Sequence, residues 1–184
     1  MEIVMKIALL LLSLPCALSL GACATAGSDS AGKVAPVARA SLMAGDGAAR
    51  GEASVTEGSD GLHVLVKATG LMPGIHAVHV HMTGVCTGPD FTSAGGHWNP
   101  TSRKHGMNNP AGMHMGDMPN MTVGADGTGE MEYVIAGGQL TTGAMPLLDA
   151  DGAAVVVHAA PDDNVTDPTG NAGGRVACGV LSLS

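Results

Sequence analysis

The sequence predicts an all-β domain: an eight-stranded Greek-key β-barrel or sandwich of immunoglobulin-like type. Three observations predict it. Glycine and proline are plentiful at 28 and 10 of 184 residues, while charged residues make up 13% and aromatics 2%. That balance suits short strands joined by many turns better than a helical bundle. The apolar stretches are short and alternate with a period of two, as half-buried strands do. Turn signals rich in Gly, Asp, Asn and Pro separate them.

Ahead of the domain, residues 1–22 read as an export signal. Lys6 gives a positive start, and Ile7 to Leu14 form an apolar run too short to span a bilayer. Leu20-Gly21-Ala22-Cys23 resembles the bacterial lipobox, cut before Cys23 and acylated on it. Ordinary cleavage after a small residue is the alternative. Residues 23–33 are then a lipidated cysteine and a flexible Ala/Gly/Ser tether, and residues 34–184 are the domain. The net charge is −8. Removing residues 1–22 takes away one acid (Glu2) and one base (Lys6), so the mature protein keeps it. An acidic body excludes nucleic acid as a partner, because phosphate binding needs a basic face.

Within the domain, Val34–Met43 alternates roughly and stops at Ala44-Gly45-Asp46-Gly47. Arg50–Glu57 stops at Gly58-Ser59-Asp60-Gly61. In the next strand Leu62, Val64 and Val66 share one face, and His63, Leu65 and Lys67 the other. Met72-Pro73-Gly74 turns the chain into Ile75–His81. Met121–Gly124, a turn at Ala125–Thr128 and Glu130–Ala136 form a hairpin. Ala153–His158, nearly continuous in valine, suits a strand buried on both faces. Arg175–Leu183 closes the set at eight strands and no helix. Two connections, 83–116 and 159–174, are too long for hairpins, and long connections without periodicity are usually functional.

Six of the eight histidines lie between His76 and Asp117. His79 and His81 occupy alternate strand positions and project to one face, close enough for two imidazoles to share a metal. His158 ends another strand, and a barrel can bring it beside them. His105, His114 and Asp117 form a second group, and His97 can belong to either or to both. Imidazole suits copper and zinc, and a hard carboxylate oxygen beside three imidazoles favours zinc. A lone His-x-His on a strand is usually structural; six histidines and an aspartate gathered on one loop and two strand ends are not. Two cysteines, Cys86 and Cys178, remain in the body. They read as one disulfide in an exported chain, or as two unrelated buried thiols.

Several segments together resemble the copper–zinc superoxide dismutases. They are Gly74–His81 (GIHAVHVH), Thr92–Pro100 (TSAGGHWNP), Ser102–Gly106 (SRKHG), His114–Asp117 (HMGD), Val156–His158 (VVH) and Gly170–Val180 (GNAGGRVACGV), in family order over roughly residues 35–184. That family is itself a standard illustration of the sandwich architecture. The resemblance implies His79, His81, His97 and His158 as ligands of copper cycling between Cu(II) and Cu(I). It implies His97, His105, His114 and Asp117 as ligands of Zn(II), with His97 shared. Arg175 would draw superoxide to the copper, making Arg175 and His97 the catalytic residues. Asp162 would hydrogen-bond His79 and His105 from outside the ligand shell, and Cys86 would pair with Cys178. His76 would be structural, while His63 is expected to have no role beyond its strand face.

The activity implied is disproportionation of superoxide anion to dioxygen and hydrogen peroxide, protecting the cell envelope. The rival class is a non-catalytic periplasmic copper- or zinc-binding lipoprotein on the same scaffold. Its degenerate members would be expected to lose His97 or Arg175, and both are present. The implied location is the periplasm or cell envelope, anchored to a membrane only by acylated Cys23, as a monomer or homodimer. The short step from His81 to Cys86 is like the bacterial branch of the family. Met82 stands where a glutamate is common, and Ala160 where some members carry a steering lysine. Five methionines crowd the long loop: Met107, Met113, Met115, Met118 and Met121. They are expected to be gap fillers, with a Cu(I) relay as the alternative.

Overall fold

The structure, a computed structural model, describes residues 35–184. The expected export signal, Cys23 and its tether, and the start of the first strand at Val34 lie outside the described residues.

Ten strands form a single antiparallel sheet. They are β1 (Val37–Met43), β2 (Ala49–Glu57), β3 (Gly61–Ala68), β4 (Gly74–His76), β5 (Val78–His81), β6 (Met121–Val123), β7 (Gly129–Ala136), β8 (Ala154–His158), β9 (Arg175–Val180) and β10 (Ser182–Leu183). The spatial order is β4-β6-β7-β3-β2-β1-β9-β8-β5, with β10 beside β1. The two ends of that path, β4 and β5, are one stretch of chain interrupted only at Ala77, so the sheet nearly closes into a barrel. Among the described residues there is no α-helix, only a short 3-10 turn at Thr92–Ala94.

Eight expected strands become ten because two of them change partners midway. In the segment 74–81, His76 pairs with Met121 while Val78 pairs with Val157. Between them the Ala77 N–H donates to Ala160 O and its carbonyl accepts from His158 N–H. At the other break, Leu181 donates to Ala153 O, after which β10 crosses to β1.

The barrel core holds the inward faces of the strands. Ala38, Ala40 and Leu42 of β1 meet Val55 of β2 and Leu62, Val64 and Val66 of β3. Val78 and Val80 of β5 and Val155 and Val157 of β8 complete it. Period-two alternation therefore sends His79 and His81 to the outside of the barrel. They are nonetheless buried, because the long loop folds over that face. Phe91 and Ala94 of the loop pack on Ala154 and Val156, the other face of β8. Strand β8 is buried at all five positions, as its valine run predicts.

The Cys86–Cys178 disulfide fastens the loop to β9, with a Cα–Cα distance of 5.7 Å and a sequence separation of 92 residues. Closing a loop that long contributes about 4–5 kcal/mol in the chain-entropy treatment. The loop also occupies the outer edge of β5, the end strand of the path. Trp98 N–H donates to Val80 O, Val80 N–H to Gly116 O, and Met82 N–H to Gly96 O. An edge that would otherwise be unpaired thus sets His97 opposite His81 and Asp117 opposite His79. Gly116 permits the close crossing, since a Cβ there would overlap Val80 O.

Candidate metal centre

Two sets of four side chains meet at the outer face of β5, and His97 belongs to both. The first set is His79, His81, His97 and His158. The second is His97, His105, His114 and Asp117. In each, one donor atom per residue lies within 4.8 Å of the others, and all seven residues are buried. These are the residues expected from the sequence, in the expected division.

The first set is recognised by what its nitrogens lack. His79 Nδ1, His81 Nε2, His97 Nε2 and His158 Nε2 are fully buried without a hydrogen-bond partner. One orphaned buried polar atom costs on the order of 1–3 kcal/mol, and four converging ones make sense only around something that binds them all. Each ring's other nitrogen is held. His79 Nε2 faces Asp162 Oδ2 at 2.7 Å, and His81 Nδ1 donates to Gly95 O at 2.9 Å. His158 Nδ1 donates to Gly173 O at 3.4 Å, and His97 Nδ1 faces Asp117 Oδ1 at 2.8 Å. These partners fix which nitrogen points inward. Four neutral imidazole nitrogens are a donor set that copper accepts readily.

The second set is recognised by crowding. Asp117 Oδ1 has His97 Nδ1 at 2.8 Å, His105 Nδ1 at 3.0 Å and His114 Nδ1 at 3.2 Å, and the last of these is 3.4 Å from His97 Nδ1. If all three rings donate to that one oxygen, the His97 and His114 N–H groups face each other at 3.4 Å, donor against donor. Tetrahedral donors about 2.0–2.1 Å from zinc stand roughly 3.3–3.4 Å apart, so a zinc ion fits with small adjustments. Asp117 Oδ2 accepts from the backbone N–H groups of Gly106 and His114, which fixes the carboxylate plane.

Asp162 joins the sets from outside. Its Oδ1 faces His105 Nε2 at 3.0 Å while Oδ2 faces His79. Three residues with no signal of their own in the sequence hold this arrangement. Asn120 clamps the Asp162 backbone, accepting from its N–H and donating to its carbonyl. Gly170, with φ +63°, passes so close that a Cβ would overlap Asp162 Oδ1. Asp167 accepts from the His105 N–H at 2.8 Å and stands 4.0 Å from His114 Nε2.

The other expected residues are also accounted for. His76 is buried, with Nδ1 2.7 Å from His158 O and Nε2 2.8 Å from Met72 O, a structural tie between β4 and β8. His63 is exposed and its Nε2 donates to Asp60 Oδ1 at 2.7 Å. Arg175 donates to Phe91 O at 2.6 Å and Gly95 O at 2.7 Å. Together with His81, His97 and His158 it lines a pocket of about 520 Å³. Those two contacts use two of five guanidinium N–H donors. Burial lowers the Arg175 pKa while Asp90 opposes the shift; a guanidinium stays charged throughout.

The electrostatics differ between the sets. Burial holds His97 down at about 4 against the pull of Asp117. Burial, with the neighbouring His79, holds His158 at about 3. Burial and His97 keep His81 well below its ordinary value. These three offer free lone pairs at neutral pH. His105 is the opposite case: burial works against its charge, but Asp117 and Asp162 lift it to about 9. Burial likewise opposes the charge on Asp117, yet its histidine partners hold it far below the usual carboxylate range.

If zinc is the ion that enters the second set, it must displace a proton from His105. Between about pH 7 and 9, zinc affinity of the metal-free protein is expected to rise roughly tenfold per pH unit and then flatten. Zinc titration against a competing chelator at several pH values measures this, and an affinity independent of pH in that window would refute it.

The comparisons with known proteins agree with this geometry. The family profile described as copper/zinc superoxide dismutase (SODC) matches residues 49–181. The chain is 45% identical over 147 residues to a superoxide dismutase [Cu-Zn] of Caulobacter vibrioides, covering 78% of this chain and 84% of that protein. It is 41% identical over 143 residues to the superoxide dismutase-like protein YojM of Bacillus subtilis, covering 76% and 73%. A crystal structure of a SOD-like protein from Bacillus subtilis superposes with a TM-score of 0.75 at 39% identity, covering 78% of this chain and 97% of that one. The Cu/Zn superoxide dismutase from Brucella abortus superposes with a TM-score of 0.63 at 27% identity, covering 79% and 99%. With a family profile across most of the barrel and relatives above 40% identity, this chain belongs to the copper/zinc superoxide dismutase family.

Proposed function

We propose that the protein disproportionates superoxide to dioxygen and hydrogen peroxide. Copper would be held by His79, His81, His97 and His158, and zinc by His97, His105, His114 and Asp117. The observation that carries the reading is the set of four buried, unpartnered nitrogens, three of whose rings, His81, His97 and His158, line the same pocket as Arg175. Copper bound there would supply one-electron redox chemistry toward superoxide. The chain supplies the rest. Arg175 attracts and orients the anion with donors not used on Phe91 O and Gly95 O. His97, fastened at Nδ1 among the second set, is the group whose Nε2 can take up a proton within the site and hand it to the departing peroxide. Gly95 O ties Arg175 to His81 by accepting from both.

A second reading, a non-catalytic copper- and zinc-binding protein on the same scaffold, is favoured by one fact: a relative at 41% identity is named superoxide dismutase-like. A superoxide disproportionation assay on the protein reconstituted with one copper and one zinc per chain separates the two. Catalysis well above that of the metal-free protein is expected. Its absence at full metal content would leave the binding reading.

We also propose that the protein works in the cell envelope. Residues 1–22 would be the export signal, and acylated Cys23 with the tether to residue 33 would anchor the domain at 34–184. The Cys86–Cys178 disulfide supports an oxidising compartment. Mass spectrometry of the mature N-terminus tests the anchor: an unmodified terminus, or one beginning elsewhere than Cys23, would refute it.

A further inference from the structure

The structure sorts the methionines by surroundings. Met118 and Met121 are buried in the barrel core, where a thioether serves as gap filler. Met82 differs. It follows His81 directly and is 48% exposed. Its side chain lies over Gly95, with Cγ and Sδ 3.1 and 3.8 Å from where a Cβ would stand. It lines the pocket of His81, His97, His158 and Arg175. It also lines a neighbouring groove of about 250 Å³ with Met145, Asp149 and Asp151. Met82, His97 and Asn99 are walls common to both spaces.

We propose that Met82 and Met145 form a Cu(I) acquisition site that passes the ion to the four-histidine set. The proposal rests on reading that set as the copper position. Thioethers are soft, uncharged ligands that select Cu(I) over harder cations such as zinc. Asp149 and Asp151 are exposed at the rim and raise the local cation concentration. Arg175 lines the first pocket and not this groove, and it would repel a cation entering directly through the first. Transfer is ligand exchange: Cu–S bonds break as Cu–N bonds to His81 and His97 form. No electron changes hands. Two thioethers then compete with four imidazoles that otherwise lack a partner, so the ion runs toward the histidines.

The test uses the full chain, zinc-loaded and copper-free, under reducing anaerobic conditions. Cu(I) is delivered from a chromophoric chelator complex and followed by stopped-flow absorbance. The Met82→Leu/Met145→Leu variant is expected to acquire copper at least tenfold more slowly and to reach the same final occupancy. Met72→Leu/Met107→Leu, which changes two exposed methionines elsewhere, is expected to match the parent. In a second measurement the terminal site is disabled by His81→Gln/His158→Gln. X-ray absorption at one equivalent of Cu(I) is then expected to show sulfur scattering that Met82→Leu/Met145→Leu removes. Equal rates in all variants, equal slowing in both methionine pairs, or scattering without sulfur would each overturn the proposal. If the parent binds Cu(I) through sulfur and passes none to histidine, the copper reading of the histidine set fails and delivery fails with it.

Discussion

Asp162→Ala is expected to weaken both metal positions at once, each by roughly 10–100-fold in affinity, the usual cost of losing a partner that orients a ligand. Asp162 is 5% exposed and touches one histidine from each set, His79 at 2.7 Å and His105 at 3.0 Å. With the carboxylate gone, both Nε2 atoms are left buried and unpartnered; nothing then holds His79 with Nδ1 inward, and His105 is oriented by Asp117 alone. Asp163→Ala is the control. Its carboxylate serves Val165, Thr166 and Asn171 within the loop rather than a ligand histidine. Parallel copper and zinc titrations measure the effect. Unchanged affinities in Asp162→Ala would mean that the barrel alone fixes the rings.

The asparagine variant sharpens the expectation. Asp162 Oδ1 accepts from the Asn164 N–H at 2.6 Å as well as facing His105, whereas Oδ2 faces His79 alone. In Asp162→Asn the single amide oxygen is better used at the Oδ1 position, where two donors meet it. The NH₂ group then faces His79 Nε2, donor against donor. Asp162→Asn should therefore lose copper affinity more than zinc affinity, and an equal loss at both sites would contradict the assignment.

How much of this was legible in the sequence follows from which interactions are local. Alternation placed Leu62, Val64 and Val66 inward and His79 and His81 on one face, because side-chain period is a property of the strand itself. The valine run marked β8 as doubly buried for the same reason. The break at Ala77 was not legible, since it records a change of partner from β6 to β8 rather than any change in residue type. Nor could the sequence say which nitrogen of each histidine is free. That choice is made by Asp162, Gly95 O, Gly173 O and Asp117, all of which approach from distant segments. Gly170 lay inside a segment matching the family, yet its reason, closeness to Asp162, exists only in three dimensions. Of the five loop methionines, Met118 and Met121 proved to be core, in keeping with gap filling. The methionine beside the histidine set is Met82, which stood out in the sequence only as a substitution for glutamate.

The second large effect is expected at Arg175. Superoxide dismutase is a standard example of an enzyme near the diffusional ceiling, where the field met by the incoming anion decides the rate. Among the residues lining the pocket, Arg175 is the one that carries a permanent positive charge. The protein as a whole carries −8 and repels an anion. Arg175→Ala should therefore lower kcat/KM for superoxide by roughly 10–100-fold, within the range of electrostatic steering. The response to salt should also change. In the parent, added salt screens a local attraction and slows the reaction; in Arg175→Ala only the bound metals oppose the repulsion of the acidic body, so the slowing should shrink or reverse. Arg175→Lys should recover part of the rate, because one ammonium supplies the charge but cannot span Phe91 O and Gly95 O as the planar guanidinium does. The copper affinity of each variant must be measured alongside, since Gly95 O also orients His81. A loss of rate that tracks loss of copper, with the salt response unchanged, would make Arg175 a support for the ligand and not a guide for the substrate.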